Sequence, residues 1–399
     1  MAKVITRPPT SEPAHCGAAS YGPGSLWRVS EPDLTTSCVV IGAGQAGLSV
    51  AFYLRRLGLE PGEEFVVLDR GPTTGGAWQH RWEALRLGSA HRVNDLPGME
   101  ELGLSFTTAD HHAPAREVVA DYYERYEEHF GLQVVRPATV TRVEDIGSGL
   151  QVSFETENGT LDLAGATIVN ATGTWGSPFV PHYPGIRSFE GRHVHTSDYA
   201  DATDFADQDV VVVGAGTSAI GFILELEPHA RSVTWATRRA PEFLDEIELN
   251  LEAAERAVAL QDDAARAGRA LPSIVSGTGV PRTRRIQAAI ERGVLEFRPM
   301  FDRVEPEGVR WDDLDEGGEA FQPAQAIVWA TGFRPELRHL APLKLREKEG
   351  GVSVASHHSA RDPRIFFAGY GPAASTIGAN RAGRNIARQV VATLSKMGR

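Results

Sequence analysis

The sequence predicts an α/β fold in which helices pack on mostly parallel sheets. Two glycine-rich turns carry this prediction, because the turns at Gly42 and Gly214 each follow an apolar strand and precede a helix. A third observation is a C-terminal strand, glycine-rich turn and helix over about 363–394. This segment forms a complete nucleotide site only together with the strand, turn and helix around Gly42. The predicted architecture is therefore two Rossmann-like dinucleotide-binding domains, the second inserted into the first.

Length and composition limit the classes of protein to be considered. A chain of 399 residues with 42% hydrophobic and 23% charged residues is typical of a globular protein with two or three domains. The net charge of -12 argues against nucleic-acid and anionic-membrane partners, which need clustered cations. Two distant cysteines, Cys16 and Cys38, fit a reducing cytoplasm. We expect no signal peptide, no membrane span and a flexible extension over 1–33. The oligomeric state is an open alternative between a monomer and a homodimer.

The first unit, over 37–70, has the order strand, turn, helix, strand that a dinucleotide site requires. Gly42 allows the tight turn, Gly44 lets the backbone approach a pyrophosphate, and Gly47 lets the helix pack on the strand. Asp69 ends the second strand and would accept hydrogen bonds from a ribose. The alternative interpretation is an ordinary tight strand-to-helix turn.

The second unit starts at 209 and differs at the end of its second strand. Gly214 and Gly216 lie in its turn, and Ala219 replaces the third glycine. Where the first unit has an acidic residue, this one has Arg238 and Arg239, which suit a 2'-phosphate and favour NADPH over NADH. The alternative is a solvated arginine pair at a strand end.

The remaining segments indicate how the domains are divided. Short β-rich runs end at a turn over 170–173, and a similar apolar strand ends at 330–333. The charged stretch 244–270 is predicted to be a surface helix or, alternatively, a lid. A C-terminal helix over about 375–394 would direct its dipole at a flavin. These patterns predict an FAD domain over 34–185 and 325–399, and an NADP domain over 186–324.

Three motifs, added to the glycine turns, resemble those of the class B flavoprotein monooxygenases, which include the flavin-containing and YUCCA-type enzymes. The family fingerprint FxGxxxHxxx(Y/F) resembles Phe189, Gly191, His195 and Tyr199, just ahead of the second glycine turn. The family's ATG(Y/F) and GG(x)W segments resemble 330–333 and 75–78. The resemblance covers about 37–395. It implies FAD, NADPH and O2, a flavin 4a-hydroperoxide intermediate and a small organic substrate.

The resemblance also suggests candidate catalytic residues, namely His195, Tyr199 and Ser89. His195 could order the linker or bond near the nicotinamide ribose, or be a buried structural histidine. Tyr199 stands where the Baeyer-Villiger branch has Trp, and so points away from that branch. The heteroatom-oxidising branch has an Asn near the flavin, and the corresponding stretch here offers Ser89 and Asn94.

The predicted cofactor-binding residues fall into two groups, and no metal site is predicted. The FAD group is Gly42, Gly44, Gln45, Ala46, Gly47, Asp69, Arg70, Gly76, Ala77, Trp78, Val140, Ala171, Thr172, Gly173, Gly369 and Ile377. The NADP group is Gly214, Gly216, Thr217, Ser218, Ala219, Arg238 and Arg239, and three further predicted cofactor contacts, Ala330, Thr331 and Gly332, lie in the expected second part of the FAD domain.

Two rival functions remain open beside monooxygenation. One is an FAD-dependent NADPH reductase or oxidase without substrate oxygenation, which would have the same nucleotide motifs. The other is a non-catalytic flavoprotein, which two intact nucleotide turns disfavour. A thioredoxin-reductase type of dithiol enzyme is excluded, because the sequence has no CxxC motif.

Overall fold

The computed structural model describes residues 36–90, 93–244, 251–272, 280–312, 320–374 and 376–398. The described residues all belong to one compact unit, Asp33–Arg399. The predicted extension 1–33 lies outside the described residues. Among the described residues, no helix is both long enough and apolar enough to span a bilayer.

The described residues form helices and strands that alternate along much of the chain. The helices are α1 Gln45–Arg56, α2 Ala115–His129, α3 Thr217–Leu226, α4 Leu251–Arg266, α5 Arg284–Glu291 and α6 Thr376–Lys396. The strands are β1 Thr36–Ile41, β2 Phe65–Leu68, β3 Val134–Val135, β4 Thr139–Asp145, β5 Leu150–Thr156, β6 Gly159–Asn170, β7 Arg192–His195, β8 Asp209–Val213, β9 Ser232–Thr237, β10 Phe243–Leu244, β11 Val280–Pro281, β12 Phe297–Pro299, β13 Arg303–Glu305, β14 Gly308–Arg310, β15 Phe321–Pro323, β16 Ala326–Trp329, β17 Val354–Ala355, β18 His358–Ser359 and β19 Ile365–Phe367.

The first sheet has the strand order β17-β18-β19-β6-β1-β2-β3, with β4 and β5 extending from β6. Strand β1 lies parallel to both β2 and β6, and β19 lies parallel to β6. The last eight residues of β6 are buried, and the stretch from Gly165 to Asn170 pairs with β1 inside the molecule, whereas the first four residues pair with β5 and are largely exposed. An all-apolar run such as Val39 and Val40 suits a parallel strand covered on both faces.

The second sheet is parallel and has the strand order β12-β9-β8-β16-β7. Its central strands are apolar, and Val210 to Val213 align with Ala326 to Trp329 in β16. The predicted α/β fold with two nucleotide-type units is confirmed, and α6 begins and ends within two residues of its expected position.

One predicted boundary differs from the structure. The FAD domain was expected to resume at 325, but β16, which follows directly, pairs with β8 and β7 in the second sheet. An apolar strand followed by Ala-Thr-Gly occurs twice, at β6 and at β16. The sequence pattern alone therefore does not show which sheet β16 joins. Strand β7, which carries His195, also lies in this sheet.

Candidate functional site

A cavity of about 590 Å³ lies at the carboxyl ends of β1, β2 and β6. Parallel strands bring their carboxyl ends to one edge of the sheet, which is where open α/β sheets bind ligands. A cavity of this size is in the range of cofactor sites. The wall also includes Gly369, which follows β19, and Ala374, just ahead of α6.

The two glycine turns have the same backbone geometry. Gly42 has φ +106°, and a Cβ there would lie 2.5 Å from the carbonyl oxygen of Ala171. Gly214 has φ +143°, and a Cβ there would lie 2.4 Å from the carbonyl oxygen of Ala330. Each turn therefore requires glycine, both for its φ and for its close approach to the strand beside it. Gly47 faces the Gly42 carbonyl, so it brings α1 onto the turn rather than lining the cavity.

Asp69 joins the glycine turn to the end of β2. One of its carboxylate oxygens accepts a hydrogen bond from the Ala43 N–H at 2.7 Å, and the other accepts one from Gly71 N–H at 2.9 Å. Arg136 donates to the same carboxylate at 3.3 Å and makes two bonds to Glu127 at 2.9 and 3.0 Å. Asp69 is thereby held at the cavity wall by two backbone N–H groups and an arginine that it shares with Glu127.

Most predicted residues of the FAD group line this cavity. They are Gly42, Gly44, Gln45, Ala46, Asp69, Arg70, Gly76, Ala77, Trp78, Val140, Ala171, Thr172, Gly173 and Gly369. Gly47 packs behind the turn, as described above. Ile377 lies in the first turn of α6, and its side chain and Ser375, the expected helix start, are outside the described residues.

The sequence reasoning missed several residues of the cavity wall. Those with chemically informative side chains are His80, Arg81, Thr139, Trp175, Arg338 and His339. His80 and Arg81 directly follow a predicted motif and could have been found by extending it. Thr139 adjoins the predicted Val140, and Trp175 lies two residues after the predicted Gly173. Arg338 and His339 follow no pattern that indicates a site.

His339 is a buried histidine in the cavity wall. Its Nε2 lies 2.7 Å from Oδ1 of Asn170, so this nitrogen carries the proton and donates it to the amide oxygen. Burial lowers the pKa of His339 from 6.5 to about 4. The imidazole is therefore neutral at pH 7 and serves as a hydrogen-bond donor at the end of β6.

The second glycine turn is placed as in the first unit, at the carboxyl end of β8. Gly214 N–H donates to Ala236 O at 3.1 Å, and Ala219 is fully buried in the first turn of α3. Thr217 is exposed and Ser218 is half-buried at the amino end of the same helix, next to Gly216. The amino end of α3 is therefore open toward solvent.

Arg238 and Arg239 follow β9 and are both exposed. Thr237 shapes this turn, because its hydroxyl donates to the Arg239 carbonyl oxygen at 2.9 Å. Among the residues that the structure describes, neither guanidinium has a carboxylate partner. Two unpaired cations thus stand where the first unit has Asp69.

Two chain segments, 173–179 and 332–336, run side by side and form what we call the joint between the two sheets. Phe179 N–H donates to Gly332 O at 3.0 Å, and Arg334 N–H donates to Ser177 O at 2.8 Å. Thr331 donates its hydroxyl hydrogen to Phe179 O. The rings of Trp175 and Phe333 stack with centroids 4.9 Å apart.

His195 is bonded to this joint. Its Nε2 donates to the Gly332 carbonyl oxygen at 2.9 Å, while its Nδ1 accepts the Ser197 N–H at 3.2 Å. Burial lowers the pKa of His195, so both nitrogens are satisfied in the neutral form. The ring meets Phe333 edge-on, with centroids 4.9 Å apart. This geometry indicates that His195 holds the segment around Gly332 in position.

The three predicted catalytic residues lie outside the cavity wall. His195 bonds the joint, and Tyr199 is buried among aromatic rings with its hydroxyl donating to Glu225 at 3.3 Å. Ser89 is exposed and bonds the Arg86 carbonyl oxygen at 3.0 Å. A motif spacing shows that residues act together, but it does not show which of them faces the ligand.

Comparisons with known proteins agree with this geometry. The family model described as pyridine nucleotide-disulphide oxidoreductase matches residues 39–254. A flavin-containing monooxygenase structure from Stenotrophomonas maltophilia is 32% identical, with TM-score 0.73, and the match covers 90% of this chain and 98% of that chain.

Two curated relatives are similar over shorter stretches. A probable indole-3-pyruvate monooxygenase, YUCCA4 of Arabidopsis thaliana, is 32% identical over 203 residues, 50% of this chain and 46% of that protein. A trimethylamine monooxygenase of Pelagibacter ubique is 29% identical over 232 residues, 52% of each chain. The chain spans about half the length of the first curated relatives it matches.

Two nucleotide-type units on parallel sheets, with a cofactor-sized cavity at the carboxyl edge of the first, define a dinucleotide-dependent oxidoreductase. The chain belongs to the pyridine nucleotide-disulphide oxidoreductase family. The resemblance to flavin monooxygenases, inferred from the motifs, and the expectation of an FAD-dependent oxidoreductase are confirmed.

The shifted pKa of His339 leads to a pH-dependence prediction. Above pH 6.5 this imidazole is neutral in both the folded and the unfolded chain. Between pH 6.5 and about 4 only the unfolded chain takes up the proton, so the free energy of unfolding falls by roughly 3 kcal/mol as the pH is lowered. His339→Gln should remove this share of the pH dependence, as measured by urea unfolding at pH 7.5, 6, 5 and 4.

The control for this measurement is His112→Gln, since His112 is an exposed loop residue. It should leave the pH dependence unchanged. Parallel stability-against-pH curves for the wild type and His339→Gln would contradict the prediction.

Proposed function

We propose that the chain is an NADPH- and O2-dependent FAD monooxygenase that oxidises a small organic molecule. The observation that carries the proposal is the 32% identity to a flavin-containing monooxygenase over 98% of that protein's length. The joint supports it, because the fingerprint His195 bonds the Gly332 carbonyl between the two nucleotide units. The balanced reaction is S + O2 + NADPH + H⁺ → SO + H2O + NADP⁺.

The cavity fits FAD in shape and chemistry. Gly44 lies at the amino end of α1, so backbone N–H groups and the helix dipole favour a diphosphate there. Gly76 packs so closely on this turn that a Cβ would lie 2.7 Å from the Gly44 Cα, and the cavity floor is therefore backbone. Asp69 in the cavity wall supports a ribose there, because a carboxylate accepts hydrogen bonds from ribose hydroxyls. When bound, FAD supplies a hydride acceptor for NADPH and an electron donor for O2.

The protein's own part is to hold the two nucleotides together and to keep water out. Trp175 lines the cavity and stacks on Phe333, so the joint contributes an aromatic ring to the cavity wall. An apolar wall limits access of water to a reactive site. His195 holds this part of the joint in position through Gly332.

The cysteines argue against disulfide reduction, the other chemistry in the family's description. Cys38 is fully buried in β1, and burial raises the pKa of its thiol to about 12. Cys16 lies outside the described residues, and no CxxC motif exists in the sequence. The electrons must therefore leave the flavin by a route that needs no dithiol.

The decisive experiment is product analysis with purified holoprotein. Given NADPH, O2 and a panel of amines, sulfides and α-keto acids, we expect one product with one added oxygen atom per NADPH consumed. Hydrogen peroxide should be a minor product when that substrate is present. Stoichiometric peroxide with every substrate, and no oxygenated product, would instead establish the NADPH oxidase or reductase alternative.

Matched glycine substitutions test the assignment of the two nucleotide sites. Gly44→Val should abolish FAD binding, because a branched side chain would occupy the place of the diphosphate, and the purified protein should be colourless. Gly216→Val, the equivalent change in the second turn, should leave the protein yellow and slow flavin reduction by NADPH. A folded Gly44→Val protein with full FAD content would place FAD elsewhere.

Arg238 and Arg239 test the preference for NADPH. A charge-assisted contact to the 2'-phosphate contributes about 1.5 to 3 kcal/mol, so replacing both by Ala should raise the Michaelis constant for NADPH about tenfold to a hundredfold. The constant for NADH should change little. The control is Arg231→Ala, because Arg231 is an exposed arginine already paired with Asp209. An unchanged ratio of the two constants would contradict the assignment.

We further propose a cytoplasmic enzyme with no nucleic-acid partner. The net charge of -12 and the buried, unpaired Cys38 support this proposal. Cell fractionation would test the location.

A further inference from the structure

Arg81 lies in the cavity wall at the end of a short 3-10 helix, Gly76–His80. This helix starts on the glycine that packs against Gly44, so Arg81 is carried by the same segment that forms the cavity floor. Arg81 belongs to none of the predicted motifs and has no role in the proposed function.

The guanidinium of Arg81 has an aromatic but not an acidic environment. It lies 4.3 Å from the ring centroid of Trp175 and 5.5 Å from that of Trp78. Its Nε is buried and has no hydrogen-bond partner among the residues that the structure describes. Arg136, near the other end of the cavity, shows the contrast, because it is paired with both Asp69 and Glu127.

An unpaired buried cation is unfavourable, because burial removes water without supplying a counter-charge. Burial lowers the pKa of Arg81 to about 10, so the side chain is still charged at neutral pH. The rings of Trp78 and Trp175 can cover the faces of a guanidinium but do not accept hydrogen bonds in its plane, where the buried Nε–H of Arg81 has no partner among the described residues. The in-plane N–H groups of a guanidinium form the planar fork that binds two oxygens of a carboxylate or phosphate.

We propose that Arg81 is an oxyanion-binding residue of the cavity, which takes phosphate oxygens of the dinucleotide or the carboxylate of an organic-acid substrate. If the anion is a phosphate, the inference rests on the proposed binding of FAD in this cavity. If the anion is a substrate carboxylate, it rests on the proposed oxygenation of an organic acid. The shared chemistry is an anion that offers two oxygens to the in-plane N–H groups of a guanidinium whose faces lie against Trp78 and Trp175.

The experiment compares Arg81→Gln and Arg81→Lys with the wild type in four titrations. Flavin-free protein is titrated with FAD, with riboflavin, which lacks the diphosphate, and with inorganic diphosphate and benzoate. Michaelis constants are then measured for α-keto acids and for amines. The control is Arg298→Gln, since Arg298 also lies over a tryptophan, Trp311, with a buried unpartnered nitrogen but outside the cavity.

A phosphate role predicts that Arg81→Gln weakens FAD and diphosphate binding about tenfold to a hundredfold and leaves riboflavin binding unchanged. A carboxylate role predicts that Arg81→Gln weakens benzoate binding and raises the Michaelis constants for α-keto acids by the same factor. The Michaelis constants for amines should stay unchanged. Arg81→Lys should restore part of either loss, and Arg298→Gln should change neither.

The inference is overturned if Arg81→Gln binds all anions as the wild type does, or if it weakens charged and uncharged ligands equally, which would indicate packing alone. Wild-type protein that binds benzoate or diphosphate through Arg81 but does not bind FAD would refute the proposed function and keep this inference. Wild-type protein that binds none of these anions would refute the inference.

Discussion

The close approach of a glycine to the neighbouring parallel strand is the constraint on which both nucleotide units depend. Gly42 over Ala171 and Gly214 over Ala330 let each central strand turn directly into a helix at the carboxyl edge of its sheet. The helix amino end then faces the same edge as the ends of the neighbouring strands. A larger residue would push the turn off the sheet, and the amides at the start of α1 and α3 would no longer converge on one place.

The joint turns two separate nucleotide units into one catalytic arrangement. Its two segments exchange backbone hydrogen bonds, and the Gly332 carbonyl oxygen accepts from both Phe179 and His195. A chain of ring contacts runs from His195 through Phe333 to Trp175, which lines the cavity. The fingerprint histidine is therefore linked to the cavity wall by packing, although it does not reach the cavity itself.

The cavity has an uneven charge distribution that follows from which cations are paired. Arg136 is paired with Asp69 and Glu127, and His339 is neutral because of its burial. Arg81 keeps its charge among tryptophan rings and has no described acidic partner. The cavity thus combines a donor-rich glycine turn with a further cation in its wall, which suits ligands that carry negative charge.

The sequence by itself determined the two strand-turn-helix-strand units, the Asp69 position and the C-terminal helix, because these depend on hydrophobic period and on glycines within a few residues of each other. Only the tertiary structure decided that β16 joins the second sheet, that Tyr199 is buried away from the cavity, and that Arg81, Trp175 and His339 line it. The reason is physical: strand order and the direction of a side chain depend on pairing and packing between segments far apart in the chain, and no local spacing encodes them.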